Sequence, residues 1–265
     1  MPRYFLEVCY KGTRYSGLQL QENAISIQFE VEKALNIIFR MPQAELGDPK
    51  GREGIKLFVS SRTDTGVHAL QNFFHFDTDF VFIPKHIYNL NALLPGDIAV
   101  INIYNVADDA HCRFDAIARE YKYYTYQKKD PFLEDRAYYY PFKPEIDKLN
   151  ELAGLLIGKA DFSAFSKRKT KVKTFDCTIH QSIWVEENEC LVYYVKGNRF
   201  LRGMVKGLVA TMLKCAKTDD AAENFKAIIA SKDCTQADFS APSHGLFLVK
   251  VSYREGVMGL LVKTK

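Results

Sequence analysis

Leu57-Phe58-Val59-Ser60-Ser61-Arg62-Thr63-Asp64-Thr65-Gly66-Val67-His68-Ala69-Leu70-Gln71-Asn72-Phe73-Phe74-His75-Phe76 decides how the first half of this chain folds. One apolar, strand-like run ends at Val59 and another covers Asn72 to Asp77, with no helical pattern between them. Two consecutive strands of this kind form the middle step of a β-α-β-β-α-β unit. The join, Ser60 to Leu70, carries a cation, several hydroxyls, a carboxylate, a glycine and an imidazole. An ordinary turn needs only one or two of Gly, Asn, Asp or Pro. Two readings fit. Either Asp64 closes an Asx-type turn and Arg62 is solvated, or the segment is a site carried on a rigid scaffold.

Working outward, Tyr4, Leu6, Val8 and Tyr10 alternate as in a strand. Lys11 to Gln21 is a polar loop with Gly12 and Gly17. Ser26 suits the N-cap of a helix over Ile27 to Phe39, with Ile27, Val31, Ala34, Leu35 and Ile38 on one face. Met41 to Gly54 reads as a surface connection. Pro84 starts a helix through Leu93, and Pro95-Gly96-Asp97 turns into a strand from Ile98 to Tyr104. The first half, 1–106, is therefore expected to be ferredoxin-like, with the polar loop 60–70 between its middle strands.

The remainder, 107–265, repeats this order. Arg119 to Gln127 is a tyrosine-rich strand, and Glu145 to Ile157 a helix closed by Gly158. Thr174 to Glu186 and Glu189 to Lys196 form a hairpin. Helices follow over Leu201 to Lys217 and Ala221 to Ala230, then a strand over Leu246 to Tyr253 and an edge strand within Val257 to Val262. The fold class expected is α+β: two ferredoxin-like halves in one extended, mostly antiparallel sheet with helices on one side. That fold hosts many functions, and neither half carries the aromatic signature of an RNA-recognition motif.

At 265 residues, 47% hydrophobic and 26% charged, the chain has the make-up of a soluble globular protein. It shows no membrane-length apolar run and no secretory leader, so a cytoplasmic location is expected. Six scattered cysteines, without a C-x-x-C, argue for reduced thiols over disulfides or a zinc cage. A net charge of +4 permits a nucleic-acid partner without requiring one. Lys167-Arg168-Lys169-Thr170-Lys171-Val172-Lys173 packs five cations into seven residues, with Arg199, Arg202 and Lys206 elsewhere. Such a run is either a solvated loop or a phosphate-tracking surface.

Asp64 is the only carboxylate of its segment, whereas glycosidase or two-metal chemistry wants carboxylates in pairs. A metal cluster of Asp64, His68, His75 and Asp77 is conceivable, but it would depend on the path of the loop; His68 better suits a structural hydrogen bond. A single carboxylate beside a cation is instead the pattern of a nucleophile. Arg62 lies two residues away, Lys206 is a remote candidate, and Arg119 to Gln127 offers tyrosines for ring stacking.

Motifs along the whole chain now converge. Ser61-Arg62-Thr63-Asp64-Thr65-Gly66-Val67-His68-Ala69 resembles the G-R-T-D-A-G-V-H-A motif around the catalytic aspartate of the TruA family of tRNA pseudouridine synthases. Tyr10 to Gly17 resembles its Y-D-G-x-x-Y-x-G, with Lys11 for the aspartate. Asn91 to Ile98 resembles N-x-x-L-P-x-D-I. His111-Cys112-Arg113-Phe114-Asp115-Ala116 follows H-A-R-F-x-A, and Ala118 to Tyr123 follows A-R-x-Y-x-Y. Asn198 to Lys206 resembles N-x-F-L-x-x-M-V-R, and Gly245 to Leu248 the late G-L-x-L.

The resemblance implies isomerisation of uridine to pseudouridine in the tRNA anticodon arm, at positions 38, 39 and 40, by a homodimer needing no cofactor and no metal. Asp64 would attack C6 of the uracil or C1′ of the ribose. Tyr121 would stack on the flipped base, Arg62 would engage the nucleic acid, and Lys206 would stand in for the family's basic partner of the aspartate. Asn198 and Phe200 would line the substrate, while Lys167, Arg168, Lys169, Lys171, Arg199 and Arg202 would track phosphates. Leu18 replaces the usual tryptophan, which would remove a stacking contact, while Ser61 for a glycine and Thr65 for an alanine would slightly crowd the loop. The competing functions are a non-catalytic RNA-binding relative and a metal-dependent phosphoryl-transfer enzyme built on the Asp/His cluster.

Overall fold

The computed structural model describes residues 1–40, 54–168 and 172–262. The expected connection up to residue 53, and Lys169 and Lys171 of the basic run, lie outside them. The chain divides into two compact units, Met1–Ile117 with Leu248–Lys265, and Ala118–Phe247. Its elements run β1 (Arg3–Tyr10), α1 (Ile27–Phe39), β2 (Phe58–Val59), β3 (His68–Asp77), α2 (Pro84–Leu93), β4 (Ile98–Val106), β5 (Ala116–Tyr126), β6 (Tyr138–Tyr139), α3 (Ile146–Gly154), β7 (Gly158–Asp161), β8 (Asp176–Glu187), β9 (Cys190–Gly197), α4 (Met204–Cys215), α5 (Ala221–Ser231), β10 (Leu246–Tyr253) and β11 (Leu260–Leu261).

In the first unit the strands lie in the order β4-β1-β3 with β2 on β3, every one of these pairs antiparallel. This is the ferredoxin-like arrangement the β-α-β-β-α-β order predicts. β10 lies on the far side of β3 and β11 on the far side of β4. The Ser26 hydroxyl accepts the Phe29 N–H at 3.2 Å and caps α1. One face of the sheet is sealed by aromatic rings. Tyr4 meets Phe82 edge-on at 4.9 Å, and Phe39 at the end of α1 meets the same ring at 5.7 Å.

β3 begins at His68, not Asn72. Ala69 pairs with Tyr10 across a register shift in β1 between Val8 and Tyr10. That irregularity lets the strand run on into the segment read as loop, so the polar connection is confined to residues 60–67.

The second unit is also mixed α/β, its strands ordered β5-β9-β8-β7 with β6 beside β5. The short strands β6 and β7 carry no alternation long enough to announce them. α3 stops at Gly154, short of the expected Ile157. Gly158 does not cap it; at φ 103° it opens β7. The β8–β9 hairpin turns through Asn188 and Glu189 at φ 50° and 61°, the two positive values of a type I′ turn. α4 starts at Met204 rather than Leu201, because Gly203 at φ 74° ends the approach in a left-handed residue. The Asn150 side chain brackets the Trp184 backbone, accepting its N–H at 2.7 Å and donating to its carbonyl at 3.1 Å, which seats α3 on β8. Among the described residues no helix is long and apolar enough to cross a membrane.

Candidate active site

Asp64 sits at the apex of the 60–67 connection, half-buried between buried Thr63 and exposed Thr65. Its carbonyl accepts the Val67 N–H at 3.1 Å, so a turn does form, and Gly66 takes the positive φ of 78° that it requires. The turn is closed by backbone, and the segment is braced from two sides.

The first brace is the β1–α1 loop. The Leu18 N–H donates to the Thr63 carbonyl at 3.1 Å, and the Gly12 N–H to His68 Nδ1 at 3.1 Å. His68 thus makes the structural hydrogen bond expected of it. Two glycines make this approach possible. A Cβ on Gly12 would stand 2.0 Å from the Val67 carbonyl oxygen, and one on Gly17 (φ 94°) 2.9 Å from that of Thr63. The loop is itself anchored to Asp97, which accepts the Tyr15 hydroxyl at 2.6 Å and pairs with Arg14 at 3.3 Å. Leu18, standing where the motif it resembles has tryptophan, is fully buried and serves the core.

The second brace is a buried polar chain whose central link, Asn72, lies outside every quoted motif. The Tyr10 hydroxyl and Thr63 Oγ1 share a hydrogen bond of 2.7 Å. Asn72 Nδ2 donates to Tyr10 Oη at 3.2 Å and to the Ser61 carbonyl at 2.8 Å, while its Oδ1 accepts the Phe73 N–H at 2.9 Å. Burial pushes the Tyr10 phenol up to about 12, so this brace is neutral throughout. Tyr10 is visible in the sequence as one end of a motif; Asn72, a lone amide inside an aromatic strand, is the available signal. Ser61 is buried in the turn beside Thr63. Neither Ser61 nor Thr65 takes a positive φ, and Thr65 faces solvent.

In the second unit, Tyr121 on β5 is largely buried and meets Phe200 edge-on at 5.0 Å. Asn198 fixes the step from β9 towards α4. Its Oδ1 accepts the Thr178 N–H at 2.8 Å, its own N–H donates to the Thr178 carbonyl at 3.0 Å, and its carbonyl accepts Arg119 Nη1 at 2.9 Å. Lys206 lies in the first turn of α4, only 8% exposed, with Nζ donating to Ser243 Oγ at 3.0 Å. The Lys167 N–H donates to the Arg202 carbonyl at 3.0 Å, so those two expected RNA-binding residues are neighbours; Arg168 is exposed beside them and Arg199 half-buried.

The conceivable metal cluster of Asp64, His68, His75 and Asp77 does not form. Asp77 is held bidentately by Arg3 at 2.7 and 2.8 Å, and His68 faces Gly12. His75 turns instead towards His111 and Cys112. All six cysteines are reduced thiols.

Comparisons place these features among known proteins. A family profile described as tRNA pseudouridine synthase matches residues 152–254. A protein of Parabacteroides distasonis named tRNA pseudouridine synthase A is 39% identical over 260 residues, covering 96% of this chain and 97% of its own length. One of Bacteroides fragilis with the same name is 39% identical over 260 residues, at 96% and 98% coverage. Another, of Staphylococcus aureus strain MRSA252, is 35% identical over 252 residues, at 94% and 91%.

Proposed function

The chain belongs to the tRNA pseudouridine synthase family, an isomerase acting on tRNA, and we propose that Asp64 is its nucleophile and uridines 38 to 40 of the anticodon arm its targets. The observation that carries this reading is the bracing of Asp64. A half-buried carboxylate, with no second acid in its segment, is presented on a turn fixed by backbone contacts on one side and a buried neutral chain on the other.

The substrate uridine is flipped from its stack at a cost of a few kcal/mol. Asp64 attacks C6 of the uracil or C1′ of the ribose, and the bond so formed breaks again to free the carboxylate as the product is released. The N1–C1′ bond breaks, the base turns, and C5 bonds to C1′; C5 gives up its proton and N1 takes one up. The product is an isomer, and the balance asks for no oxidant or reductant. Tyr121 stacks on the flipped base, an interaction of roughly 1–3 kcal/mol. Arg62, exposed beside Asp64, engages the nucleic acid; Asn198 and Phe200 shape the approach; Lys206 takes the role of the basic partner of the aspartate. Lys167, Arg168, Lys169, Lys171, Arg199 and Arg202 track phosphates, and the enzyme works as a cytoplasmic homodimer.

Incubation with unmodified tRNA followed by pseudouridine mapping tests this. The expected result is product in the anticodon arm from the unaltered protein and none from Asp64→Ala, with tRNA still bound. Product from Asp64→Ala overturns the nucleophile, and product confined to another arm overturns the target. Neutralising Lys167 to Lys173 is expected to flatten the salt dependence of tRNA affinity, by about 0.7–0.9 log units per log salt for each phosphate those side chains neutralise. An unchanged slope returns that run to a solvated loop.

A further inference from the structure

His75 lies seven residues beyond His68 on β3, roughly 23 Å further along that strand, where it pairs with Phe58 of β2. Facing it is the segment that follows β4, which presents His111 and Cys112 in succession. One ring nitrogen of each histidine and Cys112 Sγ all lie within 4.8 Å of one another, with His75 Nδ1 at 3.1 Å from the sulfur. His75 and Cys112 are buried, and His111 is half-buried, so the cluster opens to solvent on one side only. Aromatic rings wall it: Phe58 stacks on His75 at 4.8 Å and 13°, and Phe114 covers His111 at 4.2 Å.

We propose that His75, His111 and Cys112 form a binding site for a divalent metal ion of the zinc class, separate from the isomerase centre. Two imidazoles and a thiolate suit Zn²⁺, Co²⁺ or Ni²⁺ and not Mg²⁺ or Ca²⁺, which take oxygen donors. Bonds of about 2.3 Å to sulfur and about 2.0–2.1 Å to nitrogen set tetrahedral ligand atoms roughly 3.5 Å apart. The cluster therefore needs to open by only a few tenths of an ångström at His75 and to draw in at His111. Water fills the fourth position, or the Phe58 carbonyl, which already accepts from Sγ at 3.3 Å. Cys112 binds as thiolate: its S–H bond breaks, the proton passes to solvent and a sulfur–metal bond forms.

His111 Nδ1 accepts the Arg113 and Phe114 N–H groups at 3.1 and 3.4 Å. An ion bound there displaces both contacts, so affinity is moderate and the 111–114 turn moves on binding. The ion clamps β3 to the 107–115 segment. Tyr253 relays the clamp, its hydroxyl donating to the Cys112 carbonyl at 2.6 Å and lying 3.2 Å from Ser60 Oγ, at the root of the Asp64 turn. The related motif carries alanine where this chain has Cys112, so the ion is an addition to the isomerase and not a part of its chemistry.

Cobalt titration of the full chain tests the site, because thiolate-bound tetrahedral Co²⁺ absorbs in the near ultraviolet and visible. The expected result is a saturable, one-to-one signal that Zn²⁺ displaces. The thiolate band is lost in Cys112→Ala, and affinity falls more than about 100-fold in His111→Ala, beyond the 10–100-fold typical of merely supporting groups. Both variants lie outside the strands, and near-ultraviolet circular dichroism checks their folding. Should Cys112→Ala unfold, Cys112→Ser keeps the shape and still loses the band. No saturable signal from the unaltered protein, or the same signal from Cys112→Ala, overturns the proposal and leaves a sulfur–imidazole hydrogen bond only.

Discussion

The Asp64 turn and the start of α4 are held in opposite ways. Around Asp64 the contacts run to backbone: Leu18 to Thr63, Asn72 to Ser61, and Gly12 against Val67. Around α4 they run to side chains: Lys206 to Ser243, Tyr121 to Phe200, and Gly207 against the Phe239 ring. A turn pinned at its backbone depends less on the side chains it carries, and neither Ser61 nor Thr65 takes a positive φ. A region built from long side chains can readjust. Under the proposed roles, the first arrangement suits a carboxylate held in one place, and the second suits groups that adjust to a ligand.

Paired glycine substitutions are the sharpest way to break this contrast. Gly12→Ala drives a methyl group onto the Val67 carbonyl, and backbone on both sides leaves it nowhere to go. The expected cost is about 3 kcal/mol or more, with pseudouridine formation falling in step, as read by denaturant melts and single-turnover rates. Gly207→Ala places its methyl 2.8 Å from the Phe239 ring, which is only half-buried and can swing aside. There the gain in helix propensity, about 1 kcal/mol, offsets the contact, and stability should change little. Equal losses at the two sites would abolish the distinction.

The same contrast explains what was legible in the sequence. The element order and the first unit's strand arrangement followed from Tyr4 to Tyr10, the Ser26 cap and Pro84, because periodicity and caps are local signals. The short β6 and β7 were not legible, since two to four residues establish no period. The 201–203 approach reads as helix because Leu201 continues the apolar stripe of α4, and only the backbone of Gly203 interrupts it. At the site, Asp64 stood out as a lone carboxylate. Asn72 did not, because its partners, Ser61 and Tyr10, come together only through the β1–β3 register. The Asp/His grouping failed for the same reason: His68 and His75 are near in sequence but seven residues apart on one extended strand.

A smaller effect separates the two supports directly. Asn72→Ala leaves the Ser61 carbonyl and the Tyr10–Thr63 pair without their buried donor, at about 1–3 kcal/mol. Because the loss falls on the turn and not on any RNA contact, single-turnover rate should drop while tRNA affinity holds. Ser243→Ala removes one hydrogen bond from Lys206, whose amine can turn elsewhere. A rate loss within about tenfold is expected, rescued by Ser243→Thr. A weakened tRNA affinity in Asn72→Ala would show that the amide shapes the binding surface and does more than position Asp64.

Tyr10→Phe should give the smallest change, and its signature is in pH. The phenol is raised from its ordinary value near 10 to about 12 by burial, so the folded protein holds its proton where the unfolded chain loses it. Its contribution is complete below pH 10 and is lost as pH rises through about 12. Between those values the unaltered protein should lose stability more steeply than Tyr10→Phe, by up to about 1.4 kcal/mol per pH unit. At neutral pH the variant should lose about 1 kcal/mol, because the bond to Thr63 goes while Asn72, losing Tyr10 Oη, keeps its bond to the Ser61 carbonyl. Parallel decline of the two proteins above pH 10 would mean that the phenol reaches solvent, and the brace under Asp64 would then rest on Asn72, Gly12 and Leu18.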